Sequence, residues 1–184
     1  MSTILLGVTG SIAAYKACDL TRLFVKGGHA VHVLMTDAAK RFVSPLTFRT
    51  LSRNPVSDSL FDDPEEWVPG HVSLAERADA MVVAPCTANV IAKLAHGLAD
   101  DILTSTALAT RAPLVIAPAM NTGMWEHPAT RANVSLLLSR GATIVDAGTG
   151  DLACGTSGKG RMAELQSVYD AVMQRLLTDG GALV

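Results

Sequence analysis

The chain has 184 residues, of which 49% are hydrophobic and 17% are charged, and its formal net charge at pH 7 is −2. This length allows one domain with a full hydrophobic core, and the weak negative charge without a basic run argues against nucleic acid as a partner. Because charged residues usually make up about 25% of a globular chain, we expect part of the surface to be buried between subunits of a homo-oligomer.

The first residues and the cysteines indicate in which cellular compartment the protein resides and whether it contains disulfides or a metal site. The first residues lack a basic region, and no apolar run reaches the length of a membrane span. We therefore expect a cytoplasmic protein with no membrane partner. The three cysteines, Cys18, Cys86 and Cys154, lie far apart without CxxC pairing or metal-ligand spacing. They indicate neither a disulfide framework nor a metal site.

The N-terminal part predicts a strand, a tight turn, a helix and a second strand. A β-rich run covers Thr3–Thr9, residues 10–11 form the turn, the helix lasts to about Lys26, and the second strand covers His29–Met35. This order is typical of a βαβ unit, which favours a parallel sheet with right-handed crossovers.

The next segment alternates helical signals with an irregular stretch. Residues 37–51 carry helical signals, with Ser44 as an N-cap before a proline. Residues 53–70, rich in proline and acids, predict a loop over one edge. A short helix over 71–78 then precedes a continuous apolar run over 80–84, as in buried parallel strands.

The remaining elements continue the alternation. They are a helix ending at 96–97, a helix over 102–110, a strand over 114–117, a helix over 128–140, a strand over 143–145, a glycine-rich loop over 148–160 and a helix over 165–177. The sequence therefore predicts a single α/β domain over residues 1–184, with a doubly wound parallel sheet of Rossmann-like or flavodoxin-like type.

Three strand ends carry small or polar loops, at residues 9–11, 85–89 and 118–121. In an open α/β sheet these ends meet at the edge where ligands bind. Gly10 and Ser11 before a helix offer backbone N–H groups and a hydroxyl at the positive end of the helix dipole, which suits a phosphate. Since both the G-x-G-x-x-G fingerprint and a Walker lysine are absent, a mononucleotide is favoured over NAD or ATP.

Each of these features also has a purely structural interpretation. Gly10 and Ser11 are common turn residues, Asn89 can serve as a helix N-cap, and the 118–125 segment can be a hydrophobic plug at the end of the sheet. The residues alone are compatible with both the functional and the structural interpretation.

The five histidines divide into three groups. His29 and His32 lie in or beside a strand and His96 ends a helix, so we interpret these three as structural. His71 starts a helix, where it is either a general base over the strand-end cleft or an exposed residue without a role. His127 remains ambiguous.

The glycine-rich segment at about 148–162 predicts a flexible substrate flap. Its glycines make the backbone permissive, and Cys154 lies among them with Lys159 and Arg161 nearby. A thiol close to cations can act as an acid, a nucleophile or a substrate contact. The alternative is a surface loop without a function.

Six blocks occur together and in order, namely Gly10–Lys16, His71, Pro85–Asn89, Ala99–Asp101, Pro118–Trp125 and 153–162. This combination resembles the homo-oligomeric flavin-containing cysteine decarboxylase family, and its Pro-x-Met-Asn-x-x-Met-Trp block is specific. The resemblance covers residues 3 to about 165. It implies FMN as the cofactor, bound between the subunits of a trimer or dodecamer.

The resemblance also implies a role for each matching position. The residues implied for FMN are Gly10, Ser11, Ile12, Thr36, Ser44, Thr87, Asn89 and Met120. His71 is implied as the base, Asn121 as the group that holds the substrate carboxylate, and Cys154 as the thiol that helps to reduce the product. The residues implied for substrate binding are Asn121, Met124, Trp125, Lys159 and Arg161.

In the reaction of this family, oxidised flavin takes a hydride from the cysteine Cβ and the thiol becomes a thioaldehyde. Carbon dioxide then leaves and an enethiol remains. The intact block around Cys154 favours phosphopantothenoylcysteine as the substrate, because that reaction ends with a saturated thiol, the 4'-phosphopantetheine of coenzyme A biosynthesis.

Other functions stay open. The absence of a fused synthetase domain, and Cys86 where the family usually has Ala or Ser, fit a decarboxylase of C-terminal peptidyl cysteine in lantibiotic-type maturation, which releases an enethiol. A non-catalytic flavin-binding regulatory protein is a further alternative. A prenyl-flavin transferase of similar fold is disfavoured by Asn121 and Cys154.

Overall fold

A six-stranded parallel sheet forms the centre of the molecule, in the order β3-β2-β1-β4-β5-β6. The computed structural model of the chain describes residues 1–61, 70–151 and 157–179. The strands are β1 (Thr3–Val8), β2 (Ala30–Met35), β3 (Val56–Ser57), β4 (Ala80–Cys86), β5 (Leu114–Pro118) and β6 (Thr143–Ile144). This confirms the predicted doubly wound α/β fold, whose strand order reverses between β1 and β4.

Helices cover both faces of this sheet. They are a 3-10 helix (Ile12–Tyr15), α1 (Lys16–Lys26), α2 (Asp37–Lys40), α3 (Pro45–Ser52), α4 (Gly70–Arg77), α5 (Ala88–His96), α6 (Ile102–Ala109), α7 (Thr122–Glu126), α8 (Pro128–Ser139) and α9 (Leu165–Asp179). Two further strands, β7 (Gly148–Asp151) and β8 (Ser157–Arg161), pair antiparallel outside the main sheet. In the described parts of the chain no helix is both long and apolar enough to cross a membrane.

The core consists of two apolar layers, one on each face of the sheet. Successive side chains of β1 alternate between them, with Leu6 in the layer that includes Phe24 of α1 and Leu5 in the layer that includes Leu103 of α6. All seven residues of β4 are buried. Burying a large apolar side chain contributes roughly 1.5–3 kcal/mol, so these central strands hold the strand ends of the sheet in fixed positions.

The helical signals over 37–51 resolve into two helices rather than one. The side chain of Ser44 accepts a hydrogen bond from the N–H of Leu46 at 3.3 Å, which confirms its predicted role as the N-cap of α3. Pro45 occupies the first turn of α3, and because proline has no N–H to donate, a new helix begins there.

Three expectations about irregular segments were wrong. The described parts of the 148–160 segment are the β7–β8 hairpin and not a loop, since its ladder is made by backbone groups that glycine retains. The 53–70 segment contains β3, while its residues 62–69 lie outside the described residues. The 118–125 segment contains the short helix α7, because Asn121 caps it.

Candidate functional site

Thr9 links the C-terminal ends of β1 and β4, the two strands between which the strand order reverses. Its side chain is fully buried between the end of β1 and the end of β4. The Thr9 hydroxyl donates to the carbonyl of Pro85 at 2.8 Å and accepts from the N–H of Thr87 at 3.1 Å. We call the turn that follows a strand its corner. Because both partners of Thr9 lie at the β4 corner, the β1 and β4 corners form one continuous surface.

Both of these corners lead into the start of a helix. The Ser11 side chain accepts from the N–H of Ala13 at 3.3 Å, and the Thr87 side chain accepts from the N–H of Val90 at 3.4 Å. The remaining first-turn N–H groups point away from their helices, at the positive ends of two helix dipoles. This arrangement suits an anionic group.

Gly10 permits the close approach of the neighbouring helix α2. A Cβ atom on Gly10 would overlap with the Cβ atom of Ala38. The turn after β1 can therefore follow its observed path only with glycine at this position.

The third corner follows β5 and carries Asn121. Its Oδ1 atom accepts from the N–H of Gly123 at 2.8 Å, which fixes the orientation of the amide at the start of α7. One residue earlier, the N–H of Met120 donates to the carbonyl of Gly160 at 2.9 Å. This bond attaches strand β8 of the hairpin to the β5 corner.

The three corners and the hairpin enclose a cavity of about 620 Å³. Its lining residues are Gly10, Ser11, Ile12, Ala13, Tyr15, Lys16, Thr87, Ala119, Met120, Asn121, Met124, Gly160, Arg161 and Met162. The volume lies in the range of roughly 300–1,000 Å³ that is usual for small-molecule and cofactor sites.

The charge of the lining is positive. Lys16 contributes one cation and Arg161 another, whereas no carboxylate is present among the described residues that line the cavity. The guanidinium of Arg161 lies 3.5 Å from the carboxylate of Glu164, and both side chains are substantially exposed. An anionic ligand is therefore favoured over a cationic one.

Eight residues with predicted roles line this cavity: Gly10, Ser11, Ile12, Thr87, Met120, Asn121, Met124 and Arg161. Three residues predicted to bind the cofactor do not line it. Thr36 and Ser44 are the N-caps of α2 and α3, and Asn89 is an exposed residue in the first turn of α5, where Thr87 is the N-cap instead.

Trp125 and Lys159, predicted to bind substrate, also lie outside the lining. The Trp125 side chain is only 2% exposed, and the guanidinium of Arg131 lies over it at 4.9 Å from the ring centroid. Consecutive helical residues point about 100° apart, so Met124 faces the cavity while Trp125 turns into the core. Lys159 faces Asp146, at 3.9 Å.

His71 is the second residue of α4 and does not line the cavity of its own chain. Its Nδ1 atom is buried and has no hydrogen-bond partner among the described residues. The predicted thiol, Cys154, lies outside the described residues.

His96, His127 and Cys86 have structural roles. His96 lies 2.9 Å from the side-chain oxygen of Asn133, and His127 caps α8 by accepting from the N–H of Ala129 at 3.2 Å. Burial raises the pKa of the Cys86 thiol well above its usual range. The thiol therefore stays neutral in the core and is not a nucleophile.

Six lining residues were not among the site residues predicted from the sequence: Ala13, Tyr15, Lys16, Ala119, Gly160 and Met162. A signal existed for them, since they lie next to or inside the motif blocks described above. No pattern in the sequence distinguished the residues of each block that face the cavity from those that face the core.

The family comparison gives the class of this protein. The family described as Flavoprotein matches residues 1–177, and the chain belongs to that family. This confirms the prediction of a flavin-binding protein made from the six blocks.

Two curated relatives are similar to this protein over most of its chain. The coenzyme A biosynthesis bifunctional protein CoaBC of Bacillus subtilis (strain 168) is 50% identical over 165 residues, which cover 90% of this chain. The chain spans 41% of the length of that relative. The probable phosphopantothenoylcysteine decarboxylase of Streptococcus mutans serotype c is 46% identical over 175 residues, covering 94% of this chain and 98% of the relative.

Solved structures with the same fold agree with these relatives. A mutant PPC decarboxylase, complexed with pantothenoylaminoethenethiol, is 32% identical with a TM-score of 0.85, covering 94% of this chain and 97% of that one. The FMN-dependent cysteine decarboxylase SpaF is 30% identical with a TM-score of 0.82, covering 97% of this chain and 98% of that one.

Proposed function

We propose that this protein is an FMN-dependent decarboxylase of 4'-phosphopantothenoylcysteine, the reaction that yields 4'-phosphopantetheine for coenzyme A. The observation that carries the proposal is the meeting of the β1, β4 and β5 corners in one cavity that contains both Gly10–Ser11 and Met120–Asn121. The relative from Streptococcus mutans, which matches almost end to end, carries this activity in its name.

The residues of the cavity fit FMN. Two helix starts, behind Ser11 and Thr87, supply N–H donors for a phosphate, and Lys16 adds a positive charge. The Ile12 and Met120 side chains offer apolar surface to a flat ring. Roles of Thr36, Ser44 and Asn89 toward the cofactor stay predictions of the sequence.

FMN, when bound, would act as a reversible two-electron carrier: it would accept electrons from the thiol-bearing carbon, so that the neighbouring carboxylate can leave as carbon dioxide, and return them when the enethiol is reduced to the saturated thiol. Asn121 holds the substrate carboxylate, and its amide is already oriented by the bond to the N–H of Gly123. His71 takes the thiol proton, and Cys154 returns a proton to the enethiol. Met124 and the β7–β8 hairpin exclude water from the substrate, so residues 148–162 serve as the substrate flap.

The test is product analysis with the purified protein reconstituted with FMN. We expect flavin absorbance bands and, by mass spectrometry, conversion of phosphopantothenoylcysteine to a saturated thiol with loss of carbon dioxide. His71→Asn should keep the flavin and lose turnover. A peptide with a C-terminal cysteine is the comparison substrate, because the cysteine decarboxylase SpaF shares the fold and is 30% identical in sequence.

Three outcomes would overturn the proposal in different ways. Turnover of the peptide to an enethiol, without turnover of phosphopantothenoylcysteine, would favour the peptidyl-cysteine decarboxylase. Flavin binding with no turnover of either compound would favour a regulatory flavin-binding protein. A protein that cannot be reconstituted with FMN would exclude both kinds of function.

A homo-oligomer belongs to the same proposal, with a trimer or dodecamer predicted by the resemblance. Exposed apolar side chains surround the mouth of the cavity, namely those of Ile12, Tyr15 and Met124. His71 does not line the cavity of its own chain, so it would serve the cavity of a neighbouring copy. A cytoplasmic location stays a prediction of the sequence.

Complementation between two inactive variants tests this arrangement. His71→Asn lacks the base and Asn121→Asp lacks the carboxylate ligand, and we expect each to be inactive alone. When the two are unfolded, mixed and refolded together, some sites combine one intact His71 with one intact Asn121, so turnover should return. A monomeric mass by light scattering, or mixed oligomers without activity, would contradict the proposal.

A further inference from the structure

Arg161 is the lining cation on β8, the strand attached to the β5 corner, whereas Lys16 lies at the start of α1. We infer that Arg161 determines specificity by binding the 4'-phosphate of the substrate, an inference that rests on the proposed function. Both Lys159 and Arg161 were implied for substrate binding by the family resemblance, and the structure separates them.

The backbone of Arg161 is fixed by its neighbour Gly160. The carbonyl of Gly160 accepts from the N–H of Met120 at 2.9 Å. Gly160 has a φ of +140°, and a Cβ atom there would overlap with the carbonyl oxygen of Met120. Residue 161 therefore starts at a defined position beside the β5 corner.

The side chain of Arg161 then crosses the hairpin. A Cβ atom on Gly150 of β7 would lie 3.3 Å from Nη1 of Arg161 and 3.5 Å from its Cδ. Glycine at position 150 thus leaves room for the guanidinium. The side chain remains 45% exposed, which places the charge at the rim of the cavity and not at its floor.

The position of the β5 corner separates Arg161 from the phosphate of the cofactor. β1 and β5 are both neighbours of β4, and adjacent strands lie about 4.7–4.9 Å apart, so the β1 and β5 corners are about 10 Å apart. The helix start behind Ser11 belongs to the β1 corner. Arg161 is therefore placed to meet the substrate.

The ion pair with Glu164 is weak enough to be exchanged. The closest approach is 3.5 Å, and Glu164 is 74% exposed. Exposed pairs contribute about 0–1 kcal/mol. A dianionic phosphate can replace the carboxylate, because the guanidinium fork matches phosphate oxygens in pairs.

Of the two anionic groups of the substrate, the phosphate is the better partner. A cation bound to the reacting carboxylate would stabilise the ground state, whose charge leaves that group as carbon dioxide forms, and would slow the reaction. A cation bound to the remote phosphate contributes binding energy without this cost. Lys159 does not line the cavity and faces Asp146 at 3.9 Å.

The test compares phosphorylated and dephosphorylated ligands on the FMN-loaded protein. Calorimetry would measure binding of 4'-phosphopantetheine and of pantetheine, and kinetics would compare the two corresponding cysteine substrates. We expect Arg161→Gln to reduce the preference for the phosphorylated compound about 10- to 100-fold, through affinity and KM. The affinity for pantetheine and the KM of the dephosphorylated substrate should change less than about twofold. The preference of Arg161→Lys for the phosphorylated compound should lie between those of the wild type and Arg161→Gln, because lysine keeps the charge without the guanidinium fork.

Arg22→Gln is the matched control. Arg22 is 56% exposed and also pairs with an acid three residues away, Asp19 at 4.0 Å, but it lies on α1 outside the cavity. It removes the same charge and should leave the preference unchanged. FMN content and the unfolding midpoint should stay the same in both variants.

The outcomes separate this inference from the proposed function. Turnover of phosphopantothenoylcysteine with an unchanged preference in Arg161→Gln would overturn the role of Arg161 and leave the function standing. In a second case, the wild type binds the phosphorylated ligand preferentially and Arg161→Gln loses this preference, but the wild type turns over no substrate. That result would support the role of Arg161 and overturn the proposed function. Loss of the preference in Lys159→Gln instead would assign the phosphate to Lys159 and overturn the inference.

Discussion

Thr9 shows how one hydroxyl positions a site built from separate strands. Its two hydrogen bonds, to the carbonyl of Pro85 and from the N–H of Thr87, join the end of β1 to the backbone of the β4 corner. The sequence marked Thr9 as the end of a strand and the first residue of a polar loop at the ligand-binding edge. Its function depends on a neighbour 76 residues away in sequence, a relation that local patterns do not contain.

We expect Thr9→Val to destabilise the fold by about 1–3 kcal/mol, because it leaves the part-buried N–H of Thr87 and the buried carbonyl of Pro85 without this partner. The affinity for FMN should also fall several-fold as the two corners separate. Urea unfolding and a fluorescence titration with FMN would measure these effects.

Thr21→Val is the control for this change. Thr21 is equally buried, but its hydroxyl donates only to the carbonyl of Ala17 within α1. A smaller loss of stability and unchanged FMN affinity are expected. Equal effects of the two substitutions on FMN binding would show that the link between the corners is unimportant.

Trp125 shows that residues of one sequence motif can have different environments in the structure. It belongs to the same block as Met124, and the sequence predicted a shared role for the two. Helix α7 points them in different directions, so Met124 lines the cavity and Trp125 packs in the core under Arg131. Asn121 is the N-cap of α7, a helix that was not predicted from the sequence.

At the scale of elements, the β7–β8 hairpin is the part of the site that the sequence predicted least well. Its glycines gave a loop signal because glycine is disfavoured in strands. In the structure these glycines serve a different purpose, since Gly158 and Gly160 allow Thr122 and Met120 to approach β8 closely. The long buried strands β1, β2, β4 and β5 were predicted well, because continuous apolar runs are typical of parallel sheets.

Gly160→Ala should lift this hairpin from the β5 corner. A methyl group there meets the carbonyl of Met120, so we expect substrate kcat/KM to fall at least about tenfold and stability to fall by about 1–3 kcal/mol from backbone strain. Steady-state kinetics and urea unfolding would measure the two effects.

Gly141→Ala separates strain from displacement. Gly141 has a φ of +88° and open space around its Cβ position. A similar loss of stability with normal kcat/KM is expected there. If Gly141→Ala lowers kcat/KM as much as Gly160→Ala does, general destabilisation would explain both.

At the scale of the whole molecule, two histidines predict how stability depends on pH. Burial, and then the positive charge of Arg77, lowers the pKa of His32 below its ordinary value of 6.5. Burial, and then the N-terminal ammonium, lowers the pKa of His29 in the same direction. Below about pH 6.5 the unfolded chain therefore binds more protons at these positions than the folded protein does.

Stability from these groups should be complete above about pH 6.5 and decrease as the pH falls through the lowered values. Urea unfolding at about pH 8 and about pH 5 would measure the decrease, and His32→Gln should make it smaller. If stability decreases equally in the wild type, in His32→Gln and in the double variant that also carries His29→Gln, the decrease does not come from these two histidines.

The two outermost strands of the sheet, β3 and β6, have only two residues each. Such short margins give an incoming chain few backbone groups to pair with, so lateral β-growth from one molecule to the next is disfavoured. Contacts between copies of the chain, as proposed above, would then depend on side chains of helices and turns. An apolar residue exposed on a helix, such as Leu46, could be replaced by a charged one to dissociate an assembly without disturbing the sheet beneath it.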